Sequence, residues 1–114
     1  MNVIYYTKKD GQNPVKEFID SQNKKMITKI MMCICLLKEY GINIPRLYSK
    51  HIEDGIFELR IKQSSDITRI LYFFIEGDTA ILTNGFAKKT MKTPKKEIEL
   101  AKQRRNDYKE RNHK

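Results

Sequence analysis

Hydrophobic and polar positions along the 114-residue chain change period several times, and each change predicts an element. Val3 to Tyr6 is a short apolar and aromatic run that reads as a strand, closed by a Lys8-Lys9-Asp10-Gly11 turn. The period then becomes helical. Asn13 and Pro14 suit a helix start, and Val15, Phe18 and Ile19 at i, i+3 and i+4 share one face of a short helix that ends near Ser21 to Asn23. A longer helix is expected from about Lys24 to Tyr40, stopped by Gly41, with Ile27, Ile30, Ile34 and Leu37 as its stripe. Its segment Met31 to Leu37 is apolar all round, which predicts either burial between the sheet and a neighbour or a protein partner over the second side.

Ile42 to His51 reads as a loop with Pro45, and Glu53-Asp54-Gly55 as a turn. From Ile56 to Lys62 the period is two, with Phe57, Leu59 and Ile61 on one face and Glu58, Arg60 and Lys62 on the other. Ile67 to Ile75 is rich in β-branched and aromatic residues on both faces, as a central strand is, and is interrupted by Arg69. Glu76-Gly77-Asp78 makes a turn and Ala80 to Phe86 a last strand. Thr93 is expected to cap a final helix with Pro94 at its first position and Ile98, Ala101, Arg105 and Tyr108 along one face, before a frayed tail. The order β-α-α-β-β-β-α predicts an α+β fold, a small antiparallel sheet with helices packed on one face, in a single domain over residues 1–114. The other sheet face is then open for function.

Composition adds a partner class. A chain of this length with 39% apolar residues can bury roughly two-thirds of its unfolded surface in one core. The net charge of +9 is uneven: residues 86–114 hold 11 Lys/Arg against 4 Asp/Glu, a net +7. Such a region attracts polyanions, nucleic acid first among them, although a solvated basic helix gives the same count. Cys33 and Cys35 point to different faces of a helix and read as buried structural thiols in a reducing cytoplasm, with no metal or disulfide indicated. The N-terminal run reads as a strand rather than a leader, and no apolar run approaches the roughly 18 residues of a membrane span.

The candidate chemistry gathers around the run Asn84 to Pro94, where a strand end, Gly85, Phe86 and a lysine-dense loop open onto the last helix. Arg60 and Arg69 lie within strands, where an unpaired guanidinium is costly; each needs an anion, solvent, an ion pair (Glu58, Asp66 or Glu76 for Arg60) or a backbone carbonyl. Projecting from one face, the two could clamp a phosphate and oppose the charge that grows on it during strand scission. Lys88 and Lys89 could reach the same phosphate, and crowding by other cations favours the neutral amine needed for proton transfer. Tyr72, Tyr48 and Phe86 are candidate stacking planes for a base. His51 stands alone and His113 lies in the tail, and no spacing of ligands suggests a catalytic metal, so chemistry by positioning and charge is expected.

Three blocks carry a family resemblance: Ile56-Phe57-Glu58-Leu59-Arg60, then Arg69-Ile70-Leu71-Tyr72-Phe73-Phe74, then Gly85-Phe86-Ala87-Lys88-Lys89-Thr90 with Lys92-Thr93-Pro94 and Glu97-Ile98-Glu99-Leu100-Ala101. In this order and spacing they resemble the RelE/ParE superfamily of bacterial toxins, in its phage-derived, HigB-like branch of type II toxin-antitoxin systems. The resemblance implies an endoribonuclease that cleaves mRNA on the translating ribosome, without metal or cofactor, and that is neutralised by a cognate helix-turn-helix antitoxin. It implies that Arg60 and Arg69 stabilise the scissile phosphate, that Lys88 and Lys89 hold RNA or move a proton, and that Tyr48, Lys50, Tyr72, Phe86 and Lys92 contact RNA. The same fold also hosts non-nuclease toxins that inhibit DNA gyrase, which is the alternative.

Overall fold

The structure is a computed structural model that describes residues 1–88 and 91–112. Its elements run β1 (Asn2–Tyr5), α1 (Pro14–Asp20), α2 (Lys24–Tyr40), a 3-10 turn (Gly41–Asn43), β2 (Ser49–Glu53), β3 (Ile56–Gln63), β4 (Asp66–Ile75), β5 (Thr79–Ala87) and α3 (Lys95–Arg111). One five-stranded sheet has the order β1-β5-β4-β3-β2. The α+β class stands as predicted, and the local signals explain most of it. Asn13 caps α1 by accepting from the Lys16 N–H at 3.2 Å, and Asn23 caps α2 by accepting from Met26 at 2.8 Å. The Asp54-Gly55 pair, with φ of 49° and 74°, closes the β2–β3 hairpin in the left-handed turn conformation that suits twisted strands.

Four features depart from the sequence-based expectation. β2 lies where a loop was expected; it is an edge strand with one partner, and Ser-Lys-His-Ile-Glu carries no apolar alternation to betray it. β1 joins the free edge of β5 in parallel, so the sheet is mostly rather than wholly antiparallel. Cys33 is buried, but Cys35 is exposed, as are Met31 and Met32, so α2 has a buried stripe of Met26, Ile30, Cys33, Ile34 and Leu37 and an uncovered second side.

The fourth departure decides where the site lies: the helices do not share one face. Residues alternate in β4, so Ile70 and Tyr72 join Val15, Ile19, Ile30 and Ile34 under α1 and α2, whereas Leu71 and Phe73 meet Ala101 and Tyr108 of α3 on the other side. The apolar stripe of α3 shows that it must bury a face, but nothing in its pattern says which face of the sheet receives it. A bulge in β5 also changes the parity of that strand. Leu71 pairs with Asn84 and Tyr72 with Leu82, leaving Thr83 as the extra residue. Ala80 and Leu82 therefore face α1 and α2, while Asn84 and Phe86 face the α3 side. Gly85, opposite Ile70, turns toward α1; a Cβ there would stand 2.5 Å from the Phe18 ring, so only glycine lets this helix lie flat on the strand.

Candidate functional site

Cross-strand register builds the site on the α3 side of the sheet, beyond the N-terminal end of that helix. In β3, Glu58 and Arg60 point there; Lys50 of β2 is opposite Glu58, and Arg69 of β4 is opposite Arg60. Phe86 of β5 is opposite Arg69, and the Lys88 N–H continues the ladder by donating to the Ile67 carbonyl at 2.8 Å. The parity change at Thr83 is what carries Lys88 to this face: without it, alternation from Leu82 would send residue 88 to the α1 side. A cavity of about 230 Å³ here is lined by Lys50, Glu58, Arg60, Lys88, Lys92 and Thr93, with Ile98 of α3 as one wall.

The charges in this pocket are incompletely balanced. Like charges directly opposite in a sheet repel, yet Arg60 and Arg69 form such a pair. Glu58, only 1% exposed, stands between them, its Oε1 lying 3.6 Å from the Arg60 Nε and 3.4 Å from the Arg69 Nε. Neither distance is a hydrogen bond, and both Nε atoms are buried without a hydrogen-bond partner among the described residues. Arg69 is 8% exposed; burial pushes its pKa down, with Glu58 opposing and Arg60 adding to the fall. Lys88 is likewise lowered, first by burial and then by Arg69, with Arg60 and Lys50 contributing and Glu58 opposing. A partly buried, electropositive pocket of this kind, with Glu58 and Arg69 at its floor and Lys50 and Lys92 exposed at its rim, gains from an anion that replaces lost water, and a bidentate acceptor such as a phosphate suits the guanidinium fork.

Arg60, Arg69, Lys50, Lys88 and Lys92 are thus brought to one region. Phe86 is half-buried beside them. Lys89 lies outside the described residues. Tyr48 is partly buried and lines a separate opening with Lys29, Met32, Leu47 and Lys62, touching the site through its carbonyl, which accepts from the Arg60 N–H at 2.8 Å. Tyr72 does not belong to the site. It is fully buried on the α1/α2 side, its hydroxyl shares a hydrogen bond with Ser49 and burial pushes its pKa up to about 12, so no base can stack on it. Its placement was legible in principle, since residues three apart in a strand face opposite ways and Arg69 faces the site. His51 is on the Tyr72 side as well, edge-on to Phe57 with ring centroids 5.0 Å apart.

Two site residues escaped the sequence reading. Glu58 figured only as a possible ion-pair partner of Arg60, although its alternation with Arg60 in one strand places both on one face. Thr93 was expected to cap α3, but α3 begins at Lys95 with no side-chain cap, and the Thr93 hydroxyl donates to the Glu58 Oε2 instead. Among the described residues no group of three or more His, Cys, Asp or Glu is arranged to hold a metal ion, and no helix is long and apolar enough to cross a membrane. No curated protein matches the chain. A family model described as "Phage derived protein Gp49-like (DUF891)" matches residues 17–106, a span from within α1 into α3 that takes in the whole basic pocket.

Proposed function

Since the chain belongs to the phage-derived Gp49-like family, a HigB-like member of the RelE/ParE toxin superfamily, we propose that it is the toxin of a type II toxin-antitoxin system and an endoribonuclease that cuts mRNA on the translating ribosome. The observation that carries this reading is the Arg60–Arg69 pair, two guanidinium groups opposite each other whose Nε atoms have no hydrogen-bond partner among the described residues, beside a lysine of lowered pKa.

RNA supplies its own nucleophile. In the proposed reaction the ribose 2′-hydroxyl attacks the adjacent phosphorus, its proton passes to the neutral Nζ of Lys88, and the bond from phosphorus to the 5′-oxygen breaks. The leaving oxygen takes a proton from water, and the products are a 2′,3′-cyclic phosphate and a 5′-hydroxyl end. Arg60 and Arg69 oppose the charge that builds on the phosphoryl oxygens, an interaction stronger in the transition state than in the bound substrate. Lys50 and Lys92 hold the flanking backbone, and Phe86 is the remaining aromatic contact for a base, the Tyr48 ring lying in a separate opening. Lys89 shares the role of Lys88 in holding RNA. A helix-turn-helix antitoxin neutralises the protein, and acidic surface on that partner complements the net charge of +9.

Primer extension on mRNA from a translation extract given the purified protein should show new ends at codon positions. A 2′-deoxy nucleotide at the cleaved position should abolish them. Arrested translation with intact mRNA contradicts the reading, and inhibition of DNA supercoiling by gyrase under the same conditions identifies the alternative.

A further inference from the structure

Arg60 and Arg69 repel each other across the β3–β4 ladder, so something must hold them together in the absence of substrate. Among the described residues, Glu58 is the carboxylate within ion-pairing reach of both. A carboxylate that is 1% exposed is costly unless it is paired, yet the Glu58 Oε1 meets each arginine only at the Nε edge and beyond hydrogen-bond geometry. Its second oxygen is engaged by Thr93, at the point where the basic segment enters α3. Three parts of the chain, β3, β4 and the approach to α3, therefore meet on one carboxyl group.

We propose that Glu58 is a positioning residue for the phosphate site, an assignment that rests on the ribonuclease reading above. Its Oε1 keeps the two guanidinium groups together by their Nε edges and leaves their terminal N–H groups for the phosphate. Its Oε2, through Thr93, fixes the approach to α3, with Lys92, beside the same spot. The charge of Glu58 also keeps the empty pocket from becoming too positive to hold its shape. The hydroxyl of Thr93 is a spacer in this arrangement rather than a helix cap, which explains why α3 starts without one.

A group that positions and one that merely supports the fold differ in which kinetic constant they move. Steady-state cleavage of ribosome-bound mRNA by wild type, Glu58→Gln, Thr93→Val and Thr93→Ser separates them, with unfolding midpoints measured alongside. Glu58→Gln should lower kcat by about 100-fold while KM stays the same or falls, because the arginines lose alignment as the pocket gains net positive charge. Its RNA binding should become more salt-dependent. Thr93→Val should lower kcat by roughly 10-fold, and Thr93→Ser should restore it. Should Glu58→Gln fail to fold, the Thr93→Val and Thr93→Ser pair decides on its own. An active wild type with an equally active Glu58→Gln overturns the assignment alone, as does a Thr93→Val variant with unchanged kcat. A wild type that cuts no RNA overturns the ribonuclease reading and this assignment with it.

Discussion

The arginines of α3 and those of β3 and β4 are the same chemical group in different company. Arg104 donates to the Thr83 carbonyl at 2.8 Å and lies over the Tyr6 ring at 5.7 Å; Arg105 binds the Asp54 carboxylate at 2.7 Å; Arg111 binds Asp107 at 2.9 Å and the Thr7 carbonyl. Each of these ties a helix residue to an acid or carbonyl, and Arg104 and Arg105 reach across to β5 and the β2–β3 turn. Among the described residues, Arg60 and Arg69 share the Glu58 carboxylate at 3.4 to 3.6 Å, and their buried Nε atoms have no hydrogen-bond partner. The C-terminal quarter holds most of the net charge. Charge density nonetheless points away from the candidate site, because much of the charge on α3 is spent holding the helix to the sheet. What marks a binding site is charge that the fold has desolvated without satisfying.

Arg69→Ala is the harshest test of that contrast. It should reduce mRNA cleavage by about 1,000-fold in a purified translation system, the scale expected when a donor aimed at developing charge is removed. An active Arg69→Ala protein would erase the distinction between the two groups of arginines. Next in size is Lys88→Arg, which keeps the charge but cannot release a proton near neutral pH. It should lower kcat by about 100-fold with little change in KM. The pH profile gives the sign. Because the folded pKa of Lys88 lies below that of an ordinary lysine, the neutral base accumulates at lower pH than usual. The wild-type rate should thus climb with pH and level off before the ordinary lysine range, and Lys88→Arg should lack that limb.

The other side of the comparison predicts the opposite behaviour. Arg104→Ala should cost roughly 1–3 kcal/mol of stability by orphaning the Thr83 carbonyl at the bulge, measured by denaturant unfolding, and leave cleavage unchanged at temperatures where both proteins are folded. The smallest expected effect is in binding. Lys50→Ala should lower the slope of log affinity for single-stranded RNA against log salt by about 0.7, one phosphate contact, whereas Arg105→Ala should leave the slope as it is. Equal changes in both variants would mean that RNA lies along α3.

Much of this fold is legible in the residues. Period two in Phe57, Leu59 and Ile61 found β3, period 3.6 found α1 and α2, and Asn13 and Gly41 marked helix ends in the expected way, while the Asn23 cap of α2 went unread. What escaped was relational. β2 is polar because it is an edge, so it carries no pattern; the parallel seat of β1 depends on which edge β5 leaves free. The Thr83 bulge has no local signature, yet it decides the face on which Asn84, Phe86 and Lys88 emerge. At the site, Arg60, Arg69 and Lys88 could be singled out by type and position, since each is a cation in or beside a strand. Thr93 could not, because a threonine before a proline at a helix start has an ordinary capping explanation, and only the tertiary fold shows Glu58 within its reach.

Transcriptome-wide mapping of RNA ends in cells expressing wild type, Arg69→Ala or Arg104→Ala tests the division between spent and unspent cations most directly. The account predicts the same set of new mRNA ends for wild type and Arg104→Ala and none for Arg69→Ala at equal protein levels. New ends that persist in Arg69→Ala, or that vanish in a folded Arg104→Ala, would contradict it.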